Sequence, residues 1–296
     1  MTFPTVSRGG PGYPPLLTEL HDPPARLYLR GGPPKILART SVAIVGARSC
    51  SPYGVQVARE LARELAGAGV VVVSGLARGV DGEAHRGALA AGGLTVAVLG
   101  CGIDRDYPKA HAELARRISE SGLVVSEYPP GVEPSPWRFP ARNRLVAGLA
   151  TATVVVEARR RSGALITADF ALELGRDVFA VPGEITSGLS EGTNDLIRQG
   201  ATPLLGAADV LEALGIEPEP PVTVPTSLSP EAENVWSALR AGAMTLDEIS
   251  RTAGIGAAEV AVALTELELA GLVVGADGIY RARTPPPGRG PPPYGA

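Results

Sequence analysis

The sequence predicts an α/β protein: an extended Rossmann-like, doubly wound and mostly parallel sheet, followed by a small C-terminal winged-helix domain. Three observations carry this. Val-rich apolar runs recur at 42–46, 70–74, 94–99, 123–126, 153–157 and 178–181, each bounded by Gly or Pro. Helix-length segments separate them, and strands alternating with such helices imply parallel pairing with both faces buried. Beyond a proline-rich stretch, three helical segments and a hairpin pattern form a second compact set.

The elements follow in chain order. Residues 1–40 include "YPPLLTELHDPPARLYLRGGP", which reads as an extended lead-in with one short helical turn, packing on the sheet domain. Residues 41–216 form that domain. Its first strand runs into "GARSCSPYG", where Pro52 opens a helix, and "YGVQVARELARELAGAG" sets Val57, Leu61 and Leu65 on one face. Asp81 is expected to cap "GEAHRGALAAGG", and Thr167 to cap "ADFALELGR". Residues 217–227, "EPEPPVTVPTS", read as a linker. Residues 228–284 read as the winged helix. A Ser-Pro helix start is followed by a T-x-x-E capping box at Thr245 and Glu248, the helix "AAEVAVALTELELAG" and the hairpin "LVVGADGIYRAR". The tail 285–296 is low-complexity and expected to be disordered.

Composition narrows the function. A chain of 296 residues with 45% hydrophobic residues suits a globular protein. No basic-then-apolar leader opens it and no apolar run spans a bilayer, so no membrane partner is expected. Only two cysteines occur, Cys50 and Cys101, which excludes a disulfide framework and suits the reducing cytoplasm. The net charge of −4 is uneven. Residues 1–216 hold 22 Lys+Arg against 21 Asp+Glu, whereas residues 217–296 hold 5 against 10. The two parts therefore call for different partners.

Unusual residues cluster where strands end, the side on which open α/β sheets bind ligands. After the first strand comes "GARS", with Gly46 and Arg48. After the second comes "SGLARGVD", with Ser74, Gly75, Arg78 and Gly79; after the third, "GCGIDRDYPK", with Lys109. Glycine-rich turns before helices expose N–H groups to an anion. A dinucleotide is the obvious anion, but G-x-G-x-x-G is absent and the second strand ends in Ser74 and Gly75, without the acid that would take a ribose. A Walker A loop is absent too, and no cofactor is expected.

The densest positive stretch runs from Ser135 to Ala168, with Arg138, Arg142, Arg144, Arg159, Arg160 and Arg161 against Glu157 alone. In "SPWRFPARNRLVAGLA", Trp137 and Phe139 stand beside these arginines, on a segment read as preceding a helix. Guanidinium forks hold phosphates while aromatic planes stack on bases, which suits unpaired nucleic acid. Arg142 and Arg144 are the backbone contacts this favours. The Arg159–Arg161 run fits a solvated face as well as a groove, because three adjacent strand-end residues cannot all face one way.

Together, "VAIVGARSCSPYG", "VVSGLARGVDGEAHRGAL", "GCGIDRDYPKAH", "SEYPPG", "FPARNRLVAGLA", "VVVEARRRSGALITADFALELGRDVFAVPG" and "SEGTNDLIRQGA" closely resemble the DNA-processing protein A family (DprA, also called Smf), in order from about Tyr13 to Leu214. The resemblance implies an extended Rossmann domain that binds single-stranded DNA, dimerises and helps load RecA in natural transformation. Single-strand-binding protein is the further partner implied. Carried over residue by residue, the G-[ST]-R arginine is Arg48, although the middle residue here is Ala47. The basic residue of the YPK segment is Lys109. The FP-x-RN-R segment supplies Phe139, Arg142, Asn143 and Arg144, and the RSG-x-LIT segment supplies Arg161, Ser162 and Gly163. The sterile-alpha-motif domain that precedes the Rossmann domain in some members is not expected here.

Two other classes stand against this. The sheet is also similar to that of nucleoside-monophosphate phosphoribohydrolases, but their P-G-G-x-G-T-x-x-E loop is missing, and Asp169 or Glu157 would have to substitute. Asp81, Glu83 and His85 in "VDGEAHRG" are candidates for an acid–base set, Asp81 and His85 sharing a helix face, against the plainer reading of a helix cap and a solvated histidine. The reading adopted is binding without catalysis. A winged-helix regulator is the third class, and its third helix carries three glutamates and no Lys or Arg, which argues against duplex binding. Arg281 and Arg283 on the wing are the exceptions.

Overall fold

The computed structural model describes residues 2–216, 228–239, 242, 244–270, 272–276 and 278–282. The expected linker, the proline-rich tail and Arg283 lie outside the described residues. The chain divides into two compact units, Met1–Pro218 and Glu219–Ala296.

In the first unit, β1 (Thr5–Ser7), β2 (Arg26–Gly31), β3 (Ser41–Val45), β4 (Val71–Ser74), β5 (Thr95–Val98), β6 (Leu123–Ser126), β7 (Ala152–Val155), β8 (Asp177–Ala180) and β9 (Thr202–Pro203) form one sheet. Its order is β1-β2-β6-β5-β4-β3-β7-β8-β9. The run from β6 to β9 is parallel; β1 and β2 are antiparallel. The helices are α1 (Pro52–Gly67), α2 (Val80–Ala90), α3 (Ala112–Ser121), α4 (Arg138–Leu149), α5 (Gly163–Glu173), α6 (Glu191–Arg198) and α7 (Ala207–Ala213).

Strand alternation divides the core. Val42 and Ile44 pack with Leu61 and Leu65 of α1 and Val210 of α7, while Ala43 and Val45 pack with Leu145 and Val146 of α4 and Ala168 of α5. The lead-in departs from the sequence reading: it supplies two strands, β2 pairing Leu29 with Val125 of β6. Leu27 and Leu29 are fully buried, a short alternation that the surrounding prolines obscure.

Two helix starts also differ from expectation. Gly79, not Asp81, caps α2, and Ser162, not Thr167, caps α5, its hydroxyl accepting from Ala164 N–H at 3.3 Å. Thr167 lies buried inside α5. At α1, Pro52 opens the helix and Ser51 caps it.

In the second unit, α8 (Pro230–Leu239), β10 (Met244–Thr245), α9 (Leu246–Ala253), α10 (Ala257–Leu269), β11 (Val273–Ala276) and β12 (Ile279–Ala282) make a winged helix with sheet order β10-β12-β11. Val235, Ile249, Val260 and Leu264 fill its core. Ser229 caps α8 by accepting from Ala232 N–H, and Thr245 and Glu248 form the expected capping box.

Candidate nucleic-acid interface

Strand order reverses at β3, whose neighbours are β4 on one side and β7 on the other. At the carboxyl ends of these strands, where such a reversal opens a crevice, lies a cleft of about 300 Å³. It gathers seven of the nine predicted contacts: Arg48, Phe139, Arg142, Asn143, Arg161, Ser162 and Gly163. Arg159 joins them, while Lys109 and Arg144 are not in its wall.

Its rim is a column of charge and rings. The Arg48 guanidinium stands 5.5 Å from the Phe139 ring centroid, and Tyr107 stacks on Phe139 at 5.1 Å with 25° between the planes. Arg48 comes from the turn after β3, Phe139 from the first turn of α4 and Tyr107 from the loop before Lys109. The segment around Phe139 is thus helical rather than a lead into a helix, which aims its ring at the turn. Asn143 ties α4 to α5 by donating to the Gly163 carbonyl at 2.9 Å.

Arg142 does something other than the sequence reading assigned. It is 4% exposed, and its Nη1 donates to the Gly75 carbonyl at 2.5 Å and also to that of Val98. A guanidinium so engaged holds α4 against the ends of β4 and β5 and is withdrawn from solvent. Gly75 is required for this approach, because a Cβ there would strike the guanidinium. Burial pulls the Arg142 pKa down and the neighbouring Asp81 carboxylate opposes that; burial likewise pushes Asp81 up against the pull of Arg142.

The predicted phosphate turns are partly filled by the protein's own carboxylates. At the N-terminus of α1, the buried Glu157 accepts from Ser51 N–H at 2.9 Å and from the Ser51 hydroxyl at 2.5 Å. In the turn after β4, Asp81 accepts from Ala77 N–H at 3.2 Å, His111 Nδ1 donates to the Leu76 carbonyl at 3.0 Å, and Ser74 donates to the Ile44 carbonyl. Ser74 and Gly75 are buried and so are not surface contacts. Gly79, at φ +73°, brings this turn onto the Ala47 carbonyl, where a side chain has no room. Gly46 lines the cleft and Arg78 is exposed. An anion at this edge therefore meets side-chain guanidiniums rather than a bare helix terminus.

Arg144 is neutralised: its Nη2 meets Glu127 at 2.6 Å and Asp22 at 3.9 Å, with the Glu127 pair mostly buried. The Arg159–Arg161 run divides where three adjacent residues were expected not to share a groove. Arg159 and Arg161 line the cleft together, while Arg160 pairs with Asp195 at 3.3 Å. These residues lie in the loop beyond β7, free of strand alternation. Among the described residues, Arg48, Arg78, Lys109, Arg159 and Arg161 form no ion pair.

The acid–base candidates have other roles. His85 is fully buried, neither solvated nor facing the cleft, its Nδ1 2.7 Å from the Thr95 hydroxyl, which itself donates to the Val72 carbonyl. Burial, with His111 and Arg142 nearby, lowers its pKa to about 3. Glu157 is committed to α1, and Asp169 is exposed on α5 outside this cleft. Sequence reasoning left Arg159 undecided and missed Tyr107, although its place two residues before Lys109 was a usable signal.

The family described as "DNA recombination-mediator protein A" matches residues 5–215, and that described as "DprA winged helix domain" matches residues 217–278. Protein Smf of Escherichia coli is 40% identical over 278 residues, covering 90% of this chain and 74% of that protein. The crystallographic structure of DNA processing protein A from Streptococcus pneumoniae is 45% identical, covering 72% of this chain and 74% of that one, with a TM-score of 0.69. DNA processing protein A from Helicobacter pylori, whose structure is described in terms of its single-stranded DNA binding mode, is 33% identical, covering 72% and 96%, with a TM-score of 0.66. A nucleic-acid-suited cleft at the switch point of the first unit, a winged helix as the second unit and these matches agree: the chain belongs to the DNA recombination-mediator protein A family, DprA/Smf.

Proposed function

We propose that the chain binds single-stranded DNA along the cleft, acts as a homodimer joined through the α/β unit, and presents the strand to a RecA-type recombinase. Single-strand-binding protein is the further partner of this reading. One observation carries the DNA reading: Arg48 stands over Phe139 at the rim of a cleft whose other exposed cations, Arg159 and Arg161, form no ion pair among the described residues. Unneutralised guanidiniums displace the counterions condensed on phosphates, and Tyr107, the exposed ring of the column, stacks on any base, so the site favours unpaired strands without reading sequence. The single-stranded DNA binding of the Helicobacter pylori relative supports this reading. The dimer and recombinase steps rest on family membership. Catalysis is not part of the proposal, since Glu157, Asp81 and His85 are engaged in holding turns and strands and Asp169 lies outside the cleft.

The winged helix points to a protein contact instead of duplex DNA. Helix α10 has no Lys or Arg, and of its glutamates Glu259 caps its own helix while Glu266 accepts from Ser229. The test is a titration of labelled single- and double-stranded oligonucleotides at graded salt, with nucleotide hydrolysis assayed alongside. Preference for the single strand with a steep salt dependence is expected. Equal or tighter duplex binding, or turnover of a nucleotide, contradicts the proposal.

A further inference from the structure

Trp137, the residue that precedes α4, is not accounted for by the cleft. Its side chain is 61% exposed although it is among the largest apolar groups of the chain. It is also held in place. The Arg138 guanidinium lies 4.9 Å from the Trp137 ring centroid and 5.1 Å from that of Tyr128, and its Nη1 donates to the Glu133 carbonyl. A half-buried tyrosine, a tethered guanidinium and an exposed indole thus form a second cation–aromatic stack. Its Trp137 lies two residues before Phe139 and its Arg138 directly before it, and the Phe139 ring belongs to the cleft column with Arg48 and Tyr107.

We infer that Trp137 is a second stacking platform for unpaired bases, extending the DNA path from the Phe139 column across the start of α4. The inference rests on the single-stranded DNA reading of the cleft. Three features fit this ligand rather than a protein or a lipid. The guanidinium behind the indole supplies positive charge for phosphates and polarises the stack. The indole is anchored before the ligand arrives, so little ordering entropy opposes stacking. The platform is continuous, through adjacent residues, with a cleft that suits the same strand. Aromatic stacking tolerates every base, so the platform adds affinity and length rather than sequence preference.

The test uses the full chain and oligothymidylates of graded length. Stacking on the indole quenches Trp137 emission; the share lost in Trp137→Phe separates it from Trp236. Trp137→Ala is expected to weaken binding of long oligonucleotides by about 5- to 150-fold, the range set by one stacked base. Short oligonucleotides that fill only the cleft should bind as before, the salt slope should hold, and Trp137→Phe should restore most of the affinity. If Trp137→Ala binds every length as the parent does, with no Trp137 quenching, the platform is overturned while the cleft reading stands. If the parent protein binds no single strand at all, both fall.

Discussion

The Arg48 guanidinium lies 5.5 Å from the ring centroid of Phe139, joining the turn after β3 to the first turn of α4. A dinucleotide-binding turn needs a glycine for close backbone approach at this edge. Here the backbone of α1 is already occupied by Glu157, and the anion-binding role passes to the side chain of Arg48. Arg48→Ala should weaken single-strand binding by about 1–3 kcal/mol, the worth of a charged hydrogen bond. The residue is exposed, so the melting curve should not change. Unchanged affinity in a folded variant contradicts the assignment.

Arg142 should behave in the opposite way. Removing its guanidinium strands the Gly75 and Val98 carbonyls and leaves Asp81 buried without its cation. Arg142→Met should lower stability by about 3–5 kcal/mol, the cost of leaving one buried charge alone. Binding by the fraction that remains folded should weaken through a displaced Phe139, with the salt slope intact, because no phosphate contact is lost. Denaturant unfolding together with a salt titration separates the two effects.

Lys109 and Arg144 should part company. Lys109 is exposed and forms no ion pair among the described residues, whereas Arg144 is bound to Glu127 at 2.6 Å. Lys109→Ala should reduce the slope of log K against log salt by roughly 0.7, the single-strand value per phosphate. Arg144→Ala should leave the slope alone and lower the melting temperature. A slope change in the Arg144 variant would mean that its ion pair opens for DNA.

His85 makes stability depend on pH. Its pKa falls from the ordinary 6.5 to about 3 in the folded state, chiefly through burial. Between these values the unfolded chain binds a proton that the folded chain does not, so stability falls as pH drops through this window. At about pH 5 the loss attributable to His85 should be about 2 kcal/mol relative to neutral pH. Asp81, pushed up by burial, works in the opposite sense at the acid end. His85→Gln should flatten the dependence of melting temperature on pH between neutral and about pH 5; an unchanged profile contradicts the assignment.

The sheet was legible because its parallel strands are short Val-rich runs, which need only apolar faces on both sides. The strand β2 was not, since prolines surround its Leu27–Leu29 alternation. Seven cleft residues were legible through motif resemblance, but the inward-facing role of Arg142 was not. Arg142 stands three, four and seven residues before Leu145, Val146 and Leu149, all buried on one side of α4. That spacing marks Arg142 as an inward-facing residue once the segment is known to be helical. The partners of Glu157 and Arg144 are distant in sequence, Ser51 in one case and Glu127 in the other. Only the fold reveals that these charges are engaged.

The central claim is that the unpaired cations of the cleft grip a DNA backbone. Its most direct test is the salt dependence of single-strand binding by the full chain carrying Arg48→Ala, Arg159→Ala and Arg161→Ala together. If each guanidinium meets one phosphate, the slope should fall by about 2, three times the single-strand value of roughly 0.7, with similar losses for every base composition. A folded triple variant with the parental slope and affinity would place the DNA elsewhere on the protein.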